Sequence, residues 1–225
     1  MRRSLKALAA LLAYPQAPMI AALGEIEDAL RRDPALPAHV RGRLAALVAD
    51  LHRADLIDAQ ERYVALFDRS RSLSLHLFEH VHGDSRERGP AMVDLLKLYN
   101  RSGLDIAEGE LPDYLPTYLE FASLLAPSAG AAALADIAHI LAPIRDRLEG
   151  RRSPYAALFD AMLAIAGVAI ASRPDDATAD DDDPAAMDRA WEEAAVTFGP
   201  ENAPEKAGDC GRAQDMLRRM NAMGG

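Results

Sequence analysis

Pro37-Ala38-His39-Val40-Arg41-Gly42-Arg43-Leu44-Ala45-Ala46-Leu47-Val48-Ala49-Asp50-Leu51 is the stretch that decides the fold class. Val40, Leu44, Leu47, Val48 and Leu51 recur at intervals of three and four, so they share one face of a helix. Pro37 stands at the start, where a missing N–H costs nothing. The spacing predicts a core-facing helix from about 37 onward. The same periodicity extends in both directions. Upstream, helices are predicted over 4–13, ended by Tyr14-Pro15, and over about 18–32, ended by Asp33-Pro34. Downstream they are predicted over 56–67, over 73–81, through Met92, Leu95, Leu96 and Tyr99, and over 113–125, 129–148 and 154–171. The 73–81 segment carries Leu73, Leu75, Leu77, Phe78 and Val81 over so much of its circumference that a central position is expected. Gly83 supplies a stop after it, and Asp84 with Glu87 has capping-box spacing for the helix that follows. No convincing run alternates with period two, so a sheet is not expected. The fold class is all-α, a single helical-bundle domain of about nine helices over 1–172.

Beyond 172 the composition changes. Residues 173–225 hold thirteen acids against six bases, a net of -7 out of the chain's -10. Asp180, Asp181, Asp182 and Asp183 form a run of like charge with few large apolar residues around it, which predicts a largely disordered acidic tail. Trp191, Val196 and Phe198 are the bulky apolar residues of an acidic stretch, marking 187–200 as a docking segment. Met216, Met220 and Met223 at helical spacing suggest a marginal helix near the end.

Composition removes several function classes. A net charge of -10 with no basic patch repels a phosphate backbone, so nucleic acid is not an expected partner. Cys210 is the single cysteine, which excludes an intrachain disulfide and a cysteine metal cage and suits a reducing compartment. Arg2-Arg3 ahead of Leu5, Leu8, Leu11 and Leu12 superficially looks like an export signal. Lys6 interrupts that run, the leucines lie on one helix face, and no convincing small-residue cleavage site precedes Tyr14-Pro15, so an amphipathic first helix in a cytoplasmic protein is expected. The nearest approach to a membrane span, 156–171, is broken by Asp160 and Gly167, so no membrane insertion is expected.

One constellation invites an enzymatic reading. His76-Leu77-Phe78-Glu79-His80 has the H-x-x-E-H order of an inverted zinc protease, with two imidazoles one helical turn apart. A zinc-dependent hydrolase also needs a third protein ligand and an open position for water, and the sequence marks out no such ligand. The plainer alternative is a pair of histidines at a helix end that bond to neighbours or line a groove. There is no G-x-S-x-G elbow, no phosphate loop and no dinucleotide fingerprint, so the expectation is a non-enzyme without a cofactor of its own.

Four stretches carry a resemblance. They are the Leu-Leu-x-Tyr-Pro ending of the first helix at 11–15; Tyr63-Val64-Ala65-Leu66-Phe67-Asp68-Arg69; Ser74-Leu75-His76-Leu77-Phe78-Glu79-His80-Val81-His82-Gly83-Asp84-Ser85-Arg86-Glu87-Arg88-Gly89; and Glu110-Leu111-Pro112-Asp113-Tyr114-Leu115-Pro116 followed by Tyr118-Leu119-Glu120. Together with the tail from Trp191 to Pro200, they resemble the NarJ family of nitrate reductase molybdenum cofactor assembly chaperones, within the wider TorD-like redox-enzyme chaperones. Tyr114 departs from that wider group, which has a histidine there, so a role tied to that histidine does not carry over. The resemblance implies a helical chaperone that binds the apo catalytic subunit of respiratory nitrate reductase at its N-terminus and a second region. It would hold that subunit for molybdenum cofactor insertion, prevent premature membrane docking, and be absent from the mature enzyme. A permanent scaffold subunit of the reductase is the rival non-enzymatic reading.

The expected mechanism is a groove between helices 73–82 and 113–125 that receives an amphipathic client helix. Leu77, Phe78, Tyr114, Tyr118 and Phe121 are expected at its floor. Glu79, His80, Arg86, Arg88, Glu110 and Asp113 are expected at its rim, the acids favouring a client bearing Lys or Arg. The alternatives are that Leu77, Phe78 and Phe121 are plain core and that Arg86 and Arg88 pair with Asp84 or Glu87. Trp191 and Phe198 are expected to occupy the same groove when no client is bound.

Overall fold

The computed structural model describes residues 1–81, 88–107 and 109–169. The Asp84–Glu87 capping box, the 172/173 boundary, the tail and its docking segment with Trp191 and Phe198 therefore lie outside the described residues. Within them the chain is all-α. Ten α-helices follow in order: α1 (Arg2–Leu12), α2 (Ala17–Ala21), α3 (Leu23–Arg31), α4 (Ala38–Arg53), α5 (Leu56–Phe67), α6 (Arg88–Arg101), α7 (Leu115–Leu124), α8 (Pro127–Asp136), α9 (Ala138–Gly150) and α10 (Ala156–Ile165).

The amphipathic helices are where the apolar spacing predicts them. In α4, Val40, Leu44, Leu47, Val48 and Leu51 are all buried. In α1, Leu5, Leu8, Leu11 and Leu12 are completely buried, and the helix packs chiefly along α7 and then α3. α5 is capped by Asp55, whose carboxylate accepts the Ile57 N–H at 2.9 Å. At α8, a Cβ added to Gly130 would meet the Ala122 carbonyl oxygen at 2.8 Å, so glycine is what permits α8 to close against α7.

Two expected helices are divided. Segment 18–32 breaks at Ala22, where ψ rises to 0°, and only α3 buries a stripe, Leu23, Ile26 and Leu30. Segment 129–148 breaks at Ile137, with a bend of 68° between α8 and α9. Neither break involves a proline at the hinge.

The larger correction concerns 73–81, which is not an α-helix. Its place is taken by two 3-10 turns, Arg71–Leu73 and Leu77–Glu79, with extended backbone between them. Leu75 and Leu77 are buried while the His76 side chain between them is 33% exposed, as extended backbone places them. His76 makes an isolated antiparallel bridge with Tyr114. The local backbone groups bond across the molecule: the Leu77 N–H donates to the Asp113 carbonyl at 2.9 Å, and the Leu115 N–H donates to the Leu75 carbonyl at 2.8 Å.

α10 is buried almost throughout, including the charged Asp160, 2% exposed. Arg145 of α9 donates to Asp160 at 2.9 Å, and Arg43 of α4 donates to its other oxygen. The interruption that disqualified this segment as a membrane span is thus an ionic peg joining three helices. Among the described residues no single helix is long and apolar enough to cross a membrane. Removing one partner of a buried ion pair leaves the others uncompensated, so Asp160→Ala is expected to cost about 3 kcal/mol of unfolding free energy. Urea denaturation measures this, and a loss below about 1 kcal/mol would mean that the group behaves as a solvated surface pair.

Candidate functional site

Asp113 is fully buried at the turn into α7. The sequence folds this way because Tyr114 is extended and Pro116 occupies the first turn of α7, where its missing N–H leaves nothing unpaired. A carboxylate at this end of a helix is also favoured by the helix dipole. One Asp113 oxygen receives His76 Nδ1–H at 3.2 Å and the other receives the Phe78 N–H at 3.1 Å. The Arg88 guanidinium lies 3.6 Å from the second oxygen and 3.6 Å from Glu79. Asp113 therefore ties the 74–80 loop, the start of α6 and the start of α7 together.

The surrounding polar groups are also engaged. The His80 Nε2–H donates to the Ser74 carbonyl at 2.8 Å, and the His76 N–H donates to the Ser74 hydroxyl at 3.2 Å. The Tyr99 hydroxyl donates to the Pro112 carbonyl at 2.8 Å. Thr117 donates to Glu110. Burial of Glu120, with Glu110 nearby, raises its carboxyl above the ordinary value.

A tyrosine cluster completes the site. The Tyr63 hydroxyl lies 3.0 Å from that of Tyr114 and 2.9 Å from the Leu12 carbonyl. Tyr14 packs edge-on against Tyr63 with centroids 5.6 Å apart, and His76 lies 5.5 Å from Tyr114. Burial pushes the Tyr63 and Tyr114 phenols upward, so both remain hydroxyls. Four separate sequence stretches, 11–15, 63–69, 74–81 and 110–116, thus meet at one place. Tyr14, Tyr63, Ser74 and Tyr99 were not singled out as site residues from the sequence. Their membership of these stretches was the available signal for Tyr14, Tyr63 and Ser74, whereas nothing local marked Tyr99.

The expected groove residues divide into two sets. Leu77, Phe78, Tyr118 and Phe121 are at most 1% exposed and belong to the core, so they form no open floor in this conformation. Tyr118 donates to the Ala133 carbonyl of α8 at 2.8 Å, and Phe121 packs against Tyr99 of α6 with centroids 5.0 Å apart. Tyr114, Glu79, His80, Arg88 and Glu110 are partly exposed around the buried Asp113, and the His76 side chain is 33% exposed. Arg86 lies outside the described residues. The zinc-protease geometry also fails in its premise, because 77–79 is a 3-10 turn and His76 is extended, so the two imidazoles are not one α-helical turn apart. Among the described residues no three His, Cys, Asp or Glu side chains gather into a group that could hold a metal.

The sequence pattern described as "Nitrate reductase delta subunit" matches residues 33–161, the span from the end of α3 into α10. The chain belongs to that family. It is 46% identical over 192 residues to the nitrate reductase molybdenum cofactor assembly chaperone NarJ of Escherichia coli (strain K12), covering 84% of this chain and 81% of that protein. It is 39% identical over 203 residues to the probable nitrate reductase molybdenum cofactor assembly chaperone NarW of the same organism, covering 88% and 85%. A 160-residue stretch, 69% of this chain, is 35% identical to part of the nitrate reductase-like protein NarX of Mycobacterium tuberculosis (strain CDC 1551 / Oshkosh), 21% of that protein. The matched span in this family member contains both aspartate pegs, Asp113 and Asp160.

His76 is held above its ordinary pKa of 6.5, chiefly by its hydrogen bond to Asp113 and against the opposing effect of burial. A raised folded-state value means that this pair contributes its stability fully below pH 6.5 and loses it as pH climbs through the raised value. NMR titration of His76 should give a pKa above 6.5 in the native chain and a lower one in Asp113→Asn. Equal values in the two proteins would remove Asp113 as the cause.

Proposed function

We propose that this chain is an assembly chaperone for the molybdenum-containing catalytic subunit of a nitrate reductase, acting in the cytoplasm and performing no catalysis itself. The observation that carries the reading is the 46% identity over 84% of the chain to a relative named for that task. The convergence of 11–15, 63–69, 74–80 and 110–116 on one partly exposed site supports it. On this reading the helical body, 1–172, binds the apo subunit through its N-terminal segment and a second region. Binding delays membrane docking until the cofactor is in place, and the chaperone then leaves. The acidic tail, 173–225, is an appendage to that body.

The client-facing residues in this reading are the exposed edge around Asp113: Glu79, His80, Arg88, Glu110 and Tyr114, with Arg86 beside them in sequence. Asp113, Leu77, Phe78, Tyr118 and Phe121 act beneath that edge, setting its shape. The acids at the edge favour a client segment bearing Lys or Arg. Tyr114 contributes an amphipathic surface of the kind common at interfaces.

A permanent subunit is the second reading, favoured by the word "subunit" in the family's description. Purifying complexes through this chain and measuring molybdenum separates the two. The chaperone reading expects complexes enriched in cofactor-free catalytic subunit, and stoichiometric molybdenum would overturn it. Calorimetry with a peptide copied from the catalytic subunit's N-terminus tests the edge. Glu79→Arg should weaken binding by about tenfold, close to 1.4 kcal/mol. An unchanged affinity would move the client elsewhere.

A further inference from the structure

The aromatic cluster beside the Asp113 edge holds one partly exposed ring by its hydroxyl. Tyr63, in α5, is 7% exposed and packs against three other rings, with centroids 5.6 Å away at Tyr14, 4.9 Å at Phe67 and 6.4 Å at Tyr155. Its hydroxyl is therefore a fixed point in the body. It donates to the Leu12 carbonyl at 2.9 Å, in the last turn of α1, where a helix leaves its carbonyls without intrahelical donors.

A phenol has one proton to give and keeps lone pairs with which to accept. Since the Tyr63 proton goes to Leu12, the 3.0 Å contact between the two hydroxyls is made by Tyr114 donating to Tyr63. Donation runs from Tyr114 to Tyr63 and from Tyr63 to the end of α1. The Tyr14 backbone N–H also uses the Tyr114 oxygen as an acceptor. Beside the Tyr114 ring, 5.5 Å away, stands the His76 ring, itself bonded to the buried Asp113. Tyr114 is thus held at its tip by α5 and α1, and flanked by a histidine that Asp113 fixes. Ordering a free side chain at an interface opposes binding, and a side chain already held avoids that cost.

We propose that Tyr63 is a positioning residue for client capture, its hydroxyl holding Tyr114 in the orientation that the client meets. This rests on the reading that Tyr114 belongs to the client edge. Tyr63 itself is buried, so the effect of its hydroxyl on affinity is indirect.

Two measurements test this. Calorimetry with the peptide copied from the catalytic subunit's N-terminus reads affinity, and the Tyr114 ring resonances in NMR spectra of the client-free chain read its orientation. Tyr63→Phe keeps the ring and removes the bond. It should weaken the peptide about fivefold, shift the Tyr114 ring resonances and leave far-UV circular dichroism native. Tyr114→Phe breaks the same bond from the other end and should give the same loss, while the double variant should lose no more than either single one. A hydroxyl that merely capped α1 would not give this pattern, because Tyr114→Phe leaves the bond from Tyr63 to Leu12 in place. Each single variant also carries the affinity test where the other fails to fold. Native affinity in Tyr63→Phe, beside a weakened Tyr114→Ala, overturns the proposal and leaves the client edge standing. Native affinity in Tyr114→Ala overturns both. A Tyr63→Phe loss that Tyr114→Phe does not share, or that adds to it in the double variant, also overturns the proposal and assigns the hydroxyl to α1 alone.

Discussion

The candidate site depends on one fully buried carboxylate. Asp113 accepts from His76 and from the Phe78 amide, stands 3.6 Å from Arg88, and uses its own carbonyl for the Leu77 amide. A buried charge is tolerable only when its partners are fixed, so the requirement runs outward from this residue. The 74–80 loop must lie against α7, α6 must begin where Arg88 can reach, and the chain before α7 must be extended. Those constraints leave Glu79, His80 and Tyr114 at the surface above an aromatic and leucine core. Asp160 plays the corresponding part for α10, holding α4 and α9 to it through Arg43 and Arg145.

Much of the helical fold was legible because a period of three and four is a local property. α1 and α4 follow it directly, and their buried faces are the ones their leucines and valines mark, whereas α5 buries Ala59, Tyr63 and Phe67. Two kinds of feature were not legible. The breaks at Ala22 and Ile137 are not legible because no proline or glycine at the hinge announces them. The 73–81 segment was misread because leucine at alternate positions, followed by phenylalanine, looks apolar on all sides. Its extended form is imposed by hydrogen bonds to Asp113 and Leu115, more than thirty positions away.

The site was legible in composition and not in depth. Asp113, Glu79, His80, Arg88 and Glu110 could be named because they lie in the stretches 74–89 and 110–116 that carry the family resemblance. Leu77, Phe78, Tyr118 and Phe121 could be named but not placed, since periodicity does not distinguish a groove floor from the layer beneath it. The tyrosines Tyr14, Tyr63 and Tyr114 are far apart in sequence and adjacent in space, an arrangement that only the packing of α1, α5 and the turn before α7 creates.

The packing of α1 along α7 bears on how the polypeptide emerges from the ribosome. The first helix is complete by Leu12, but its main partner ends at Leu124. At translation rates of about 5–20 residues per second, the interval between the two is roughly 6 to 22 seconds. Throughout that wait, Leu5, Leu8, Leu11 and Leu12 remain uncovered by α7. Early synthesis is therefore the period when this polypeptide is itself most exposed to misassociation, and a slow codon stretch before α7 would lengthen it.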